Sequence, residues 1–106
     1  MLHKRVLNFP KAARYSLGLR MENTALEIVE LAYLAQAKRD RSRLLILGKM
    51  DVKLRIFFVH LRLAHKTRCV NDAGYAELSE KAIEIGKMLG GWIKQTKTAP
   101  TLERLR

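Results

Sequence analysis

The sequence predicts an all-α fold, an antiparallel up-and-down helical bundle, and three observations carry that expectation. Apolar residues recur at spacings of three and four along three long stretches, as in helices with a buried face. No stretch alternates apolar and polar residues as a half-buried strand would. With only two Pro and six Gly in 106 residues, no low-complexity run or long disordered block interrupts the pattern. One domain is expected over residues 1–97. Residues 98–106 are expected to form a frayed or disordered C-terminal tail, because Pro100 opposes a helix there and no apolar partner pattern follows it.

Residues 1–8 supply a helical stub through Leu2, Val6 and Leu7, too short to be a stable partner alone. The first long helix is expected from about Pro10 to Ala37, with Asn8 or Phe9 at the cap and Pro10 in the first turn, where its missing N–H is no loss. Leu17, Met21, Thr24, Ile28, Leu31 and Ala35 form its buried stripe, and Tyr15, Leu19, Leu26 and Tyr33 a second apolar strip beside it. Lys38 to Ser42 is a polar connector, and the Ser42 hydroxyl is the expected cap of the second helix, which runs to about Lys66.

At 100° per residue that second helix sorts into four arcs. Leu47, Met50, Leu54, Phe57, Phe58 and Leu61 form one apolar face, and Leu45, Val52, Ile56, Val59 and Leu63 another. Between them run two basic stripes, Lys49, Lys53 and His60 on one side, Arg55, Arg62 and Lys66 on the other. A surface helix needs only one apolar face, so the second must be covered by further helices of the bundle or by another subunit. Asn71 and Asp72 supply a turn and a cap for the third helix, whose Tyr75, Leu78, Ala82, Ile85, Leu89 and Trp92 form a heptad seam. Gly86 and Gly90 would let a neighbouring helix approach closely, or Gly90 and Gly91 loosen the last turn before Trp92.

Charge distinguishes the central segment from its neighbours. Lys38 to Arg68 holds ten Lys and Arg against two Asp, a net +8 of the +11 carried by the whole chain, while the flanking segments 11–37 and 69–97 are each neutral. Evenly solubilising charge would not leave two long segments neutral, so the cluster points to a polyanion. Lys and Arg at helical pitch without interleaved aromatics suit phosphate-backbone contacts of RNA or DNA, which give affinity and salt dependence but little sequence reading. The candidate nucleic-acid-binding residues are Lys49, Lys53, Arg55, Arg62 and Lys66, with Arg14, Arg41 and Arg43. Docking of the basic helix on an acidic protein partner, as a helical scaffold, is the alternative.

No enzymatic role is expected. There is no nucleophile motif, phosphate-gripping glycine loop or paired carboxylate arrangement, and no cofactor is implied. His3, His60 and His65 lack metal-ligand spacing, since five residues set the last two about 140° apart on a helix. Cys69 is single, which excludes an intrachain disulfide and fits a reducing cytoplasm. No apolar run approaches the ~18 residues of a membrane span, and the first ten residues are too polar for a signal peptide.

Phe9-Pro10-Lys11, Arg14-Tyr15, Leu17-Gly18 and Arg20 followed by Glu22 resemble the opening of one family of small bacterial four-helix proteins. Leu78-Ser79-Glu80, then Ile85 to Trp92 reading IGKMLGGW, is similar to its closing motif. The family comprises the accessory variability determinant proteins of diversity-generating retroelements, with the related proteins encoded in intervening sequences of large-subunit ribosomal RNA, whose role is unknown. The resemblance spans roughly residues 9 to 97. It implies a four-helix subunit in a homopentameric barrel with a basic outer surface. It also implies binding to a reverse transcriptase and its template RNA during mutagenic copying that diversifies a target gene. Family members carry a full helix before the Phe-Pro motif, so the first helix is expected to be short or truncated here.

Overall fold

A computed structural model describes the backbone of residues 2–105 and the side chains of residues 2–98. The described backbone is helical with no strand: α1 (Leu2–Leu7), α2 (Lys11–Ala13), a π-helical segment (Arg14–Gly18), α3 (Leu19–Ala37), α4 (Asp40–Lys66) and α5 (Asp72–Leu105). The α2, π and α3 segments run on without a break, so the described residues form four helices, the first a stub, within 57 × 21 × 18 Å. The all-α bundle expected from periodicity is present.

The stub is held by burial rather than by its own propensity. Val6 and Phe9 are buried, and Leu2 packs against the core. Pro10 stands one position before the helix with extended backbone (φ −52°, ψ 144°), so Lys11 and not Pro10 opens the first turn. The π-helical turn adds a residue between Lys11 and Leu19 and shifts the phase of the helix. It leaves Gly18 against α1, where a Cβ would lie 2.6 Å from Val6 Cγ1. α1 can lie this close only because Gly18 has no side chain.

α4 is the centre of the bundle, with α3 and α5 packed on either side of it. Its row Leu47, Met50, Leu54, Phe57 and Leu61 is buried, joined by Ile46 and Ala64, while Phe58 is half-buried. Met21, Ile28 and Ala35 of α3 and Leu78, Ala82 and Leu89 of α5 close on that row. Gly86 lies beside α4, where a Cβ would meet Leu54 Cδ2 at 3.4 Å, whereas Gly90 and Gly91 face open space and the helix passes them uninterrupted.

The connections depart from the sequence expectation at two points. α4 begins at Asp40, not after Ser42, and its entry is made by Asp40 in the left-handed region (φ 52°) with no side-chain cap. Arg43 does the joining instead, its Nε donating 2.9 Å to the Ala35 carbonyl at the end of α3, an oxygen that also accepts the Lys38 backbone N–H at 3.2 Å. At the other end, Cys69 N–H donates to Ala64 O (2.8 Å) and Arg68 N–H to His65 O (3.1 Å), with Arg68 left-handed at φ 62°. That is the Schellman pattern of helix ends, with Arg where glycine is usual. His65 stacks on Tyr75 at 4.2 Å between centroids, and its Nε2 lies 2.7 Å from Asp72 Oδ1, which ties the end of α4 to the start of α5. Asn71 caps α5 as expected, its Oδ1 accepting the Gly74 N–H at 2.7 Å.

α5 continues to Leu105 and passes through residue 97, where the tail was expected to begin. A proline inside a helix removes one donor and opposes the preceding turn, but the backbone at Pro100 remains helical. The side chains beyond residue 98 lie outside the described residues.

Candidate nucleic-acid interface

The second apolar row of α4 faces away from the core. Leu45 (65% exposed), Val52 (55%), Ile56 (37%), Val59 (59%) and Leu63 (48%) form its outer surface, half a turn from the buried row. The two basic stripes run along the two edges of this outer surface, so the cations of the two stripes share one side of the molecule.

Their surroundings differ. Lys53 Nζ lies 2.6 Å from Glu27 Oε2 of α3, and Arg55 Nε donates to Asp51 Oδ2 at 3.1 Å one turn earlier. Both pairs are substantially exposed, so each contributes little to stability and leaves the cation accessible. Arg41, Lys49, Arg62 and Lys66 are exposed and have no ion-pair partner among the described residues. Arg43 is turned inward onto Ala35 O, with its guanidinium carbon 5.8 Å from the Trp92 ring centroid, and so serves the α3–α4 junction. Arg14 lies in the π-helical turn, and its Nε is buried without a partner among the described residues. It is separated in sequence and element from the α4 set.

His60 is half-buried on the edge of the Lys49 stripe, its Nδ1 shut off from solvent and unpartnered among the described residues. Lys38, Arg39 and Arg68, at the two ends of α4, are exposed and extend the cationic surface. They belong to the +8 count, but connectors have no periodicity, so no helical sorting could assign them to a side.

Two recesses border α4. Between α3 and its outer side a shallow one of about 590 Å³ has Leu31, Leu34, Leu45 and Val52 at its base, with Glu27 and Glu30 on one rim and Lys49 and Lys53 on the other. On the core side, a groove of about 440 Å³ runs between α3 and α5 over Met50, walled by Val29, Tyr33, Ile85, Met88 and Trp92. It continues toward α1 over Leu54 and Phe57 to Leu2, with Lys81 the one charged residue lining that end. Val29, Tyr33, Ile85 and Met88 remain exposed along this groove because the six residues of α1 reach only one end of it.

Among the described residues no group of three or more His, Cys, Asp or Glu side chains is placed to hold a metal ion. No helix is long and apolar enough to cross a membrane, again among the described residues. The arrangement offers charge and apolar surface, which are means of binding.

A family model described as bAvd-like matches residues 1–96, nearly the whole chain and including the α1 stub. No curated protein and no solved structure matches it. The match covers both motifs on which the resemblance to the accessory variability determinants rests, together with the basic helix between them, and the chain belongs to the bAvd-like family.

Proposed function

We propose that this chain is a non-enzymatic accessory protein that binds nucleic acid through its phosphates and works with a reverse transcriptase and its template RNA in retroelement-driven sequence diversification. The observation that carries the reading is the exposed cationic surface of α4 on a chain of the bAvd-like family. Arg41, Lys49, Arg62 and Lys66 provide the unpaired cations, Lys53 and Arg55 exchange a carboxylate partner for a phosphate, and Lys38, Arg39 and Arg68 extend the surface past both helix ends. Each phosphate neutralised releases condensed counterions, which favours binding to any sequence.

The family also implies a homopentamer. With +11 on each copy, copies must meet where charge is sparse, and the α3–α5 groove is such a place. Its exposed Val29, Tyr33, Ile85 and Met88 would be buried there. Light scattering that gives 12.2 kDa at micromolar concentration would overturn the assembly.

Nucleic-acid binding is tested by filter binding of a structured RNA at several salt concentrations. Affinity should fall by about 0.7–0.9 log unit per log unit of salt for each phosphate contact, and the slope should drop by about one for each of Lys49, Arg62 and Lys66 replaced by Ala. An affinity indifferent to salt, or a slope unchanged in the triple variant, refutes the reading.

A further inference from the structure

The outer row of α4 contains more than phosphate binding uses. From Val52 to Leu63 its residues follow one another at 4, 3 and 4, which is the a/d spacing of a coiled-coil seam, and Leu45 stands one heptad before Val52 with Lys49 at the a position between them. With Val52 and Val59 at d and Ile56 and Leu63 at a, the flanking e positions are Lys53 and His60 and the g positions Arg55 and Arg62. From this register, together with the exposure of the row, we infer that the outer face of α4 docks an amphipathic helix of a partner protein, one whose apolar seam is flanked by Glu or Asp. The inference goes beyond the nucleic-acid reading and does not depend on it.

Charge selects the occupant. In a coiled coil the e and g residues of one helix face those of the other and decide which helices pair. If α4 met α4 of a second copy in parallel, Arg55 would face His60; antiparallel, Arg would face Arg and Lys would face Lys or His. Neither arrangement gives a cation an acidic partner, and the antiparallel one opposes like charges, so the seam is not complementary to itself and accepts an acidic flank. Its neighbours within the subunit already show the preference, since Lys53 takes Glu27 and Arg55 takes Asp51. From Leu45 to Leu63 the row spans nineteen residues, about 27 Å, enough for a partner helix of some five turns. A lipid surface fits less well. The row is a narrow seam of Val, Ile and Leu without the aromatic residues typical of helices lying in a membrane interface.

The probe is a synthetic 21-residue helix with Leu and Ile at a and d and Glu at e and g, fluorescently labelled, with an otherwise identical peptide carrying Lys at e and g as control. Anisotropy should show saturable binding of the Glu peptide and none of the Lys peptide. Affinity should fall about tenfold or more in a Val52→Ser/Val59→Ser variant, which keeps every cation. An Arg55→Glu/Arg62→Glu variant should lose the Glu peptide and gain the Lys peptide. RNA binding should be unchanged in the Ser variant, and this separates failure of the seam from failure of the nucleic-acid reading. Circular dichroism confirms that both variants remain folded, as substitution at exposed positions allows.

Four results overturn the inference. Equal binding of the Glu peptide to the Ser variant and the parent is attraction without a seam. Loss of RNA binding in the Ser variant assigns the row to nucleic acid. A fall in its oligomer mass assigns the row to a second copy. Sedimentation of the parent but not the Ser variant with phosphatidylserine vesicles assigns the row to a membrane.

Discussion

Leu61 and Leu63 stand two residues apart on α4, and the first is fully buried while the second is 48% exposed. The same contrast runs along the helix, with the row from Leu47 to Leu61 under α3 and α5 and the row from Leu45 to Leu63 facing outward. Hydropathy does not distinguish them, for both are apolar at helical spacing. Their borders do. The outer row has cations along both edges, whereas the inner row is bounded by residues such as Ile46 and Phe58 that pack with the core. A row bordered by charge on both sides cannot be enclosed by the subunit's own apolar helices without burying that charge, which costs far more than the apolar burial returns.

The sharpest test of this contrast is truncation of the inner row. Leu61→Ala should destabilise the protein by about 2–5 kcal/mol, because the methyl groups lost from a fully enclosed site leave a cavity. Urea unfolding monitored by circular dichroism reads this directly. A loss below about 1 kcal/mol would mean that α3 and α5 are not closed on α4 as described.

Next comes the end of the inner face that α1 covers. Gly18→Ala places a Cβ 2.6 Å from Val6 Cγ1 and 3.3 Å from the Ala13 carbonyl, so α1 or the π-helical turn must shift. The expected cost is about 1–3 kcal/mol. Val6→Ala in the same chain removes the clashing methyl, and the two substitutions together should cost less than the sum of each alone. Additive effects would separate α1 from Gly18.

A smaller change of opposite sign is expected where α4 ends. Arg68 holds a left-handed backbone that disfavours side chains by about 1–2 kcal/mol. Arg68→Gly should therefore raise stability by up to about 1 kcal/mol, the greater freedom of glycine in the unfolded chain offsetting the rest. An unchanged or lowered melting temperature would show that the Schellman turn is not strained there. Since the turn sets how α5 returns along α4, its relief should leave the exposure of both rows as it is.

Periodicity made both rows of α4 legible, because a helix fixes the angle between residues whatever surrounds it. It also located the buried stripe of α3, the α5 seam and the Asn71 cap, all of which depend on residues near in sequence. What it could not reach depends on neighbours brought together by the fold. Ile46 belongs to neither row, yet it is buried on the flank where Lys53 meets α3. Arg43 has the sequence character of a phosphate ligand, and only the nearness of Ala35 O and Trp92 gives it a structural partner. Ser42 lost the cap to a backbone turn at Asp40 that no hydroxyl signals. The π-helical turn was equally hidden, because its register matters only through the contact it gives Gly18 with α1, a separate helix. Of the site, the clustering of charge was readable, but the pairing of each cation was not.

The smallest expected effect bears most directly on the contrast of the two rows. Leu63→Ala removes the same atoms as Leu61→Ala, but from a side chain that already meets water, so the loss should be about 0.5 kcal/mol. It should also be the same at low and high protein concentration. Stability gained through an assembly grows with protomer concentration, so a cost that grows with concentration would mean that copies of the chain enclose the outer row. The seam would then already be occupied, and an acidic helix could enter only by dissociating the assembly. A small, concentration-independent cost beside a large one at Leu61 leaves the outer row open in the free protein, as docking of a separate helix requires.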